Sequence, residues 1–258
     1  MDTVGLAVRA GSVDDHDVVA LVDALADSLI EGGVDLVTRV VDDAAHEEQV
    51  YRYWARTGAV SGVALVHAEP DDPRVQVLGS LGFPFAAVTG SAKAAFPAVV
   101  VDAGQSAEVL RSFLAARGRG RTVFLLARPG QAGWSGAPGL DGPPQEVYVR
   151  ITTESALATA AEAAAEGPVT VVFDNDVHAA AVLDDVLQRG LRVPEDVAIV
   201  SWTYSAVCQG ATRSITALNR RGAEVGALLG LQLRGALAGG PIAPVLAPAP
   251  FVVLGESA

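Results

Sequence analysis

Val169-Thr170-Val171-Val172-Phe173-Asp174-Asn175-Asp176-Val177-His178-Ala179-Ala180 decides the fold. Five residues without a charge, too few for a helix, predict a strand buried on both faces. Three polar residues follow, and then an apolar-periodic segment from Asp176 to Arg189, closed by Gly190, predicts a helix. A side chain among Asp174, Asn175 and Asp176 is placed both to cap that helix and to face a cleft. Capping alone accounts for one of the three, and a ligand role for a second stays open beside it.

The same alternation extends in both directions. Downstream, strands are expected at 197–201, near 214–217 and near 251–254, with a long helix over 221–237. Upstream, strands are expected at 4–8, 34–41, 60–66, 85–88, 98–101, 122–127 and 146–150. Helices are expected from Asp14 or Asp17 to Glu31, over 45–57, up to Leu81, over 105–117 and over 154–166. Residues 128–145, rich in Gly and Pro, are expected to be an irregular loop. Strands alternating with helices predict an α/β protein with parallel sheets covered on both faces. Ligands of such sheets bind beyond the carboxyl ends of the strands, which directs attention to the residues just after each one.

Composition narrows the function classes. The chain has 258 residues, enough for two lobes of ordinary size, and half of them are hydrophobic. Aromatics are only 5%, so aliphatic side chains must fill the core. The formal net charge of −12 opposes direct binding of a phosphate backbone. Cys208 is the single cysteine, which excludes an internal disulfide and a cysteine-rich metal site. Met1-Asp2-Thr3 carries no basic, apolar leader, and no apolar run is long enough to span a bilayer, so a cytoplasmic location without membrane contact is expected.

No catalytic pattern is convincing, and no enzyme activity or cofactor is expected. A Gly-Lys-Ser/Thr phosphate loop is absent, and Gly118-Arg119-Gly120 precedes a strand instead of following one. Gly133-Trp134-Ser135-Gly136-Ala137 nearly matches a nucleophile elbow, but its flanks are Pro and Gly where a strand and a helix are required. Asp14-Asp15-His16-Asp17 offers metal-ligating atoms, yet adjacent residues rarely converge on one ion, and acids at a helix start are favoured by its dipole. His46 and His67 have no partner recognisable in the sequence.

The C-terminal third carries a resemblance. The quoted stretch leads into Leu187-Gln188-Arg189-Gly190-Leu191-Arg192-Val193-Pro194-Glu195-Asp196-Val197-Ala198-Ile199-Val200, and Ser214-Ile215-Thr216 with Gly226 forms a further block. Together these resemble the effector-binding domain of LacI/GalR-type transcription regulators. Gly58 to Val66 and Val99-Val100-Val101-Asp102 are similar to earlier blocks of that family. The resemblance implies a periplasmic-binding-protein-like type I fold of two Rossmann-like lobes, expected at 1–117 plus 218–243 and at 118–217 plus 244–258. It implies a homodimer that takes a small effector, a sugar or related polar metabolite, between the lobes. It implies DNA contact only through an N-terminal module, which is not expected within this chain. A stand-alone solute-binding protein is the alternative.

The resemblance and the strand ends together nominate Ser12, His67, Asp102, Asp176, Trp202, Thr203 and Arg220 as ligand-binding residues. Asp102 and Asp176 keep carboxylates, able to accept from sugar hydroxyls, and are expected to face the gap from opposite sides. Trp202 and Tyr204 are candidate stacking surfaces, with core packing the equal alternative. Thr203 stands where the family has its first Asp after a strand, and Arg220 where it has Gln. The 128–145 segment lacks the family's ligand-gripping Arg.

Overall fold

The structure is a computed structural model, and it describes residues 2–12, 16–118, 121–126, 147–150, 153–240 and 243–258. The expected loop at 128–145, the near-elbow Gly133–Ala137 and the acids Asp14 and Asp15 lie outside those residues.

The first half of the chain forms β1 (Asp2–Arg9), a 3-10 turn (Ala10–Ser12), α1 (His16–Glu31), β2 (Val34–Val41), α2 (Ala44–Thr57), β3 (Gly62–Leu65), α3 (Pro73–Leu81), β4 (Phe85–Thr89), β5 (Ala98–Val100) and α4 (Ala103–Arg117). The second half forms β6 (Arg121–Leu126), β7 (Val147–Arg150), α5 (Thr153–Ala165), β8 (Val169–Phe173), α6 (Asp176–Gln188), β9 (Val197–Ser201), α7 (Ala206–Gly210), β10 (Thr216–Asn219), α8 (Gly222–Leu237), β11 (Val245–Leu246) and β12 (Phe251–Val253). Two compact units result: Met1–Asp102 with Arg221–Pro248, and Ala103–Arg220 with Ala249–Ala258. The chain therefore passes between units three times.

The first unit is built on a sheet of order β11-β5-β4-β3-β1-β2, with every pair parallel. Parallel neighbours need helical crossovers, and the apolar face of each helix is what it buries on the sheet. On one face, Val50, Tyr51 and Trp54 of α2 and Leu78 of α3 join Val63, Leu65 and Ala87 of the strands in one core. On the other, α1 and α8 pack side by side, with Leu21, Leu25, Leu29, Leu229 and Leu233 fully buried. Gly222, Gly226 and Gly230, spaced by four along α8, face α1. A Cβ on Gly226 would overlap the Leu21 carbonyl, so the two backbones approach more closely than any larger residue permits.

The second unit is built on a sheet of order β12-β10-β9-β8-β6-β7, all parallel except β12, which runs antiparallel to β10. Every residue of β8 and β9 is buried, as an uninterrupted apolar run requires. Val123, Val171, Ile199, Val182 and Val186 form the core on one face. Leu110 of α4 joins Phe124, Val172, Trp202 and Leu218 in a second cluster.

That last cluster changes an expectation. Helix α4 was expected in the first lobe, but its buried leucine packs in the second unit, so the first passage falls at Asp102/Ala103 instead of after residue 117. The later passages fall at 220/221 and 248/249, where 217/218 and 243/244 were expected. The five-residue α7 and the two-residue β11 were not anticipated, being too short to show a period.

Candidate functional site

In the first unit the order of strands reverses at β1: β2 lies on one side of it, and β3, β4 and β5 on the other. The carboxyl ends of β1 and β3 flank that reversal, where an open parallel sheet leaves a crevice. Ser12 ends the 3-10 turn after β1, and His67 follows β3. Asp102 follows β5 and is exposed.

His67 adopts φ 57°, the left-handed region that a non-glycine residue enters only at a cost of about 1 kcal/mol or more. An ion network compensates. The Arg74 guanidinium donates to the carbonyls of His67 (2.5 Å) and Val66 (3.2 Å), to Glu47 Oε1 (3.1 Å) and to Asp72 Oδ2 (2.7 Å). Tyr51 Oη donates to the same Glu47 oxygen at 2.6 Å. Arg9, the last residue of β1, places its guanidinium 3.5 Å from Glu47 Oε2. The Glu47 side chain is only 1% exposed, so these partners are what allow its charge to be buried.

The network also sets its own protonation. Burial alone would raise the Asp72 carboxyl, but the hydrogen bonds and charge of Arg74 outweigh it and hold the group below its ordinary range. Burial likewise opposes the Arg74 charge, and its Asp72 hydrogen bonds, with Glu47 nearby, more than restore it. Burial pushes the Tyr51 phenol up, and the Glu47 charge pushes it further, so it remains a donor. None of Glu47, Tyr51, Asp72 or Arg74 was nominated from sequence. Pro70-Asp71-Asp72-Pro73 leads into α3, and Asp72 is its cap, accepting from the Arg74 amide. Nothing local announced that Glu47, 27 positions earlier, would meet Arg74.

In the second unit the reversal falls at β6, with β7 on one side and β8, β9 and β10 on the other. Asp174, Asn175 and Asp176 follow β8. Asn175 is the cap of α6, accepting from the amides of Val177 and His178 at 2.8 and 3.2 Å. Asp176 is completely buried in the first turn of α6. Its Oδ2 accepts from Ser205 Oγ, and its Oδ1 from the Val177 amide at 3.0 Å. These contacts tie the start of α6 to the segment after β9.

Trp202 and Thr203 follow β9, and both are buried. Trp202 belongs to the core cluster with Leu110 and Leu218, which realises the packing alternative. The Arg220 guanidinium, at the end of β10 and itself buried, lies 5.7 Å from its ring centroid. Its indole Nε1 is nonetheless buried without a hydrogen-bond partner among the described residues, as is His178 Nδ1. Thr203 turns its hydroxyl to the Asp174 carbonyl (3.2 Å), while Ser201 Oγ closes the loop on the Thr203 carbonyl (2.7 Å). Tyr204 is half-buried against the other core cluster. Asp176, Trp202, Thr203 and Arg220 thus gather at the carboxyl ends of β8, β9 and β10. Ser201, Ser205 and His178 belong with them; of these, only Ser205 lies in a segment that the strand ends mark for attention.

Among the described residues, no group of three or more His, Cys, Asp or Glu is placed to hold a metal ion. None of the described helices is long and apolar enough to cross a membrane.

Two sheets of one strand order, joined by a chain that passes between them three times, define the architecture that the comparisons with known proteins recover. Residues 112–258 match the periplasmic binding protein-like domain, and the chain belongs to that family. Solved structures of similar fold include a LacI family transcriptional regulator from Bifidobacterium animalis subsp. lactis, 23% identical, covering 99% of this chain and 97% of that one, with a TM-score of 0.77. Another is a LacI family transcriptional regulator from Lactobacillus casei with bound sucrose, 19% identical over 100% of both chains, with a TM-score of 0.79. A dimeric Lac repressor with a C-terminal deletion is 16% identical, covering 99% of this chain and 98% of that one, with a TM-score of 0.78. No curated protein matches the sequence. The fold is therefore the periplasmic-binding-protein-like type I fold found in LacI-family regulators.

Proposed function

We propose that this chain is the effector-sensing and dimerisation domain of a LacI-type transcription regulator, binding a small polar metabolite between its two units. One observation carries the proposal: both sheets gather fixed polar groups at the reversal of strand order, where open α/β sheets take ligands. In the first unit these are the groups around His67, and in the second those around Asp176, with Trp202 one strand farther along at the end of β9. The unpartnered Trp202 Nε1 supports a ligand contact there, because a buried donor left unsatisfied costs about 1–3 kcal/mol. The sucrose bound to one protein of this fold supports a sugar-like effector. A ligand with greater affinity for one arrangement of the units shifts the population toward it, which is all that regulation requires. The net charge of −12 opposes direct DNA contact by this chain, and the family resemblance assigns such contact to a separate N-terminal module.

Val19 and Ile30 of α1 and Val40 of β2 are exposed, β2 is an edge strand, and Val40 lies on the opposite face of that strand from Arg39. An apolar edge of this kind needs cover, and a second copy of the chain supplies it.

A thermal-shift screen against mono- and disaccharides tests the proposal, since a ligand at a hundred times its Kd raises stability by about 2.7 kcal/mol. Trp202→Phe removes the indole N–H and replaces the bicyclic ring by a smaller one that still fills most of its place in the core. It is expected to keep the fold and weaken binding by roughly five- to tenfold. Light scattering is expected to give twice the chain mass. A protein that no sugar shifts and that runs as a monomer is not the sensor described here.

A further inference from the structure

We propose that the groove between α2 and the edge strand β2 binds an organic phosphate that carries a planar ring, of the mononucleotide class. The groove encloses about 580 Å3, within the range of small-molecule sites. Arg39 of β2 and His46, Arg52 and Arg56 of α2 line it, together with Tyr53 and Trp54. A chain of net charge −12 thus turns three guanidinium groups and an imidazole toward one concavity.

Each cation has a bland explanation when taken alone. Arg56 lies in the last turn of α2, where the helix dipole favours positive charge. Arg39 blunts an edge strand. Arg52 pairs with Glu48 at 2.6 Å, one turn away. None of these explains their convergence, nor the tyrosine ring left 53% exposed among them, with Arg56 5.9 Å from its centroid.

The charge state points to the ligand. Among the described residues no carboxylate pairs with Arg39 or Arg56, so both are free to take an anion. The Arg52–Glu48 and His46–Asp42 contacts are exposed, and such pairs are worth little, so both side chains can exchange partners. A single carboxylate would need one guanidinium. Three of them match a dianionic phosphate, which guanidinium forks hold by paired hydrogen bonds. The Tyr53 face then offers a stacking surface for a base.

Titration calorimetry on the full chain at low ionic strength, with adenosine 5′-monophosphate as the probe, tests this. Saturable binding is expected, weaker for inorganic phosphate and absent for adenosine. The double variant Arg39→Gln, Arg56→Gln is expected to lose about tenfold or more in affinity, with its circular dichroism unchanged. Tyr53→Ala is expected to keep phosphate binding and abolish the preference for the nucleotide. Trp202→Phe, which lies in the other unit, is expected to leave nucleotide affinity unchanged, so the result is independent of the effector proposal. The inference is overturned if the nucleotide shows no saturable binding at about 10 mM, an affinity near the floor of specific recognition. It is also overturned if the double variant binds as the parent does, or if a polyglutamate peptide binds more tightly than the nucleotide, which would assign the groove to an acidic protein segment.

Discussion

The two units lay out one strand order over different chemistry. Beneath the reversal in the first, Glu47 is buried among Arg74, Tyr51 and Arg9, and the Arg74 guanidinium holds the carbonyls of Val66 and His67. Beneath the reversal in the second, the contacts are made by hydroxyls: Ser205 to Asp176, Thr203 to the Asp174 carbonyl, Ser201 to the Thr203 carbonyl. Apolar runs set which strands lie side by side, because only their burial decides the sheet. The segments after the strands are free of that demand, and each unit solves the fixing of its loops separately. An ionic floor is rigid while intact and costly to break, because a stranded charge cannot be solvated. A hydroxyl floor fails more gently.

That contrast can be broken by substitution. Arg74→Leu leaves the buried Glu47 with only Tyr51 and the more distant Arg9, and is expected to cost about 3 kcal/mol in urea denaturation. Ser205→Ala removes one neutral donor from Asp176 and is expected to cost about 2 kcal/mol in the same measurement. Equal losses would erase the distinction between the floors. Acid sharpens it by the smallest effect. The Asp72 carboxyl is held below its ordinary value of 3.8 in the folded chain. Its contribution is therefore complete above that value and is lost as pH falls through the lower, folded value. Stability measured from pH 5 downward is expected to fall below about pH 4, by under ~1 kcal/mol from this group once solvent screening is counted. Asp72→Asn is expected to remove that share of the slope, and an unchanged slope would show that Arg74 does not depress the carboxyl.

The strands at 34–41, 169–173 and 197–201 were legible to the residue, because the last two are apolar or β-branched runs ended by a turn and the first is rich in such residues despite Asp35 and Arg39. The polar triplet after β8 was legible as a cap but not in its division of labour. Only coordinates reveal that Asn175 caps and that Asp176 is sealed against Ser205, a residue 29 positions away. Trp202 shows the same limit, since an aromatic after a strand reads equally as core or as ligand surface. Its ring is core, and its N–H is left over. The resemblance placed helix α4 in the lobe before it, whereas Leu110 packs in the core behind it. The Glu47–Arg74 pairing had no sequence signal at all, because charges on two helices announce only that each surface is polar.

Gly222 to Leu237 arrives after all of the second unit except its C-terminal segment Ala249–Ala258 has been made, yet α1 and β4 of the first unit pack against it. During synthesis the N-terminal hundred residues must wait, with one apolar face of their sheet covered by α1 alone, until more than a hundred later residues have emerged. A gene cut after Arg220 would produce a sheet lacking half its roof, so the boundary that suits an expression clone is not one that the two units themselves suggest.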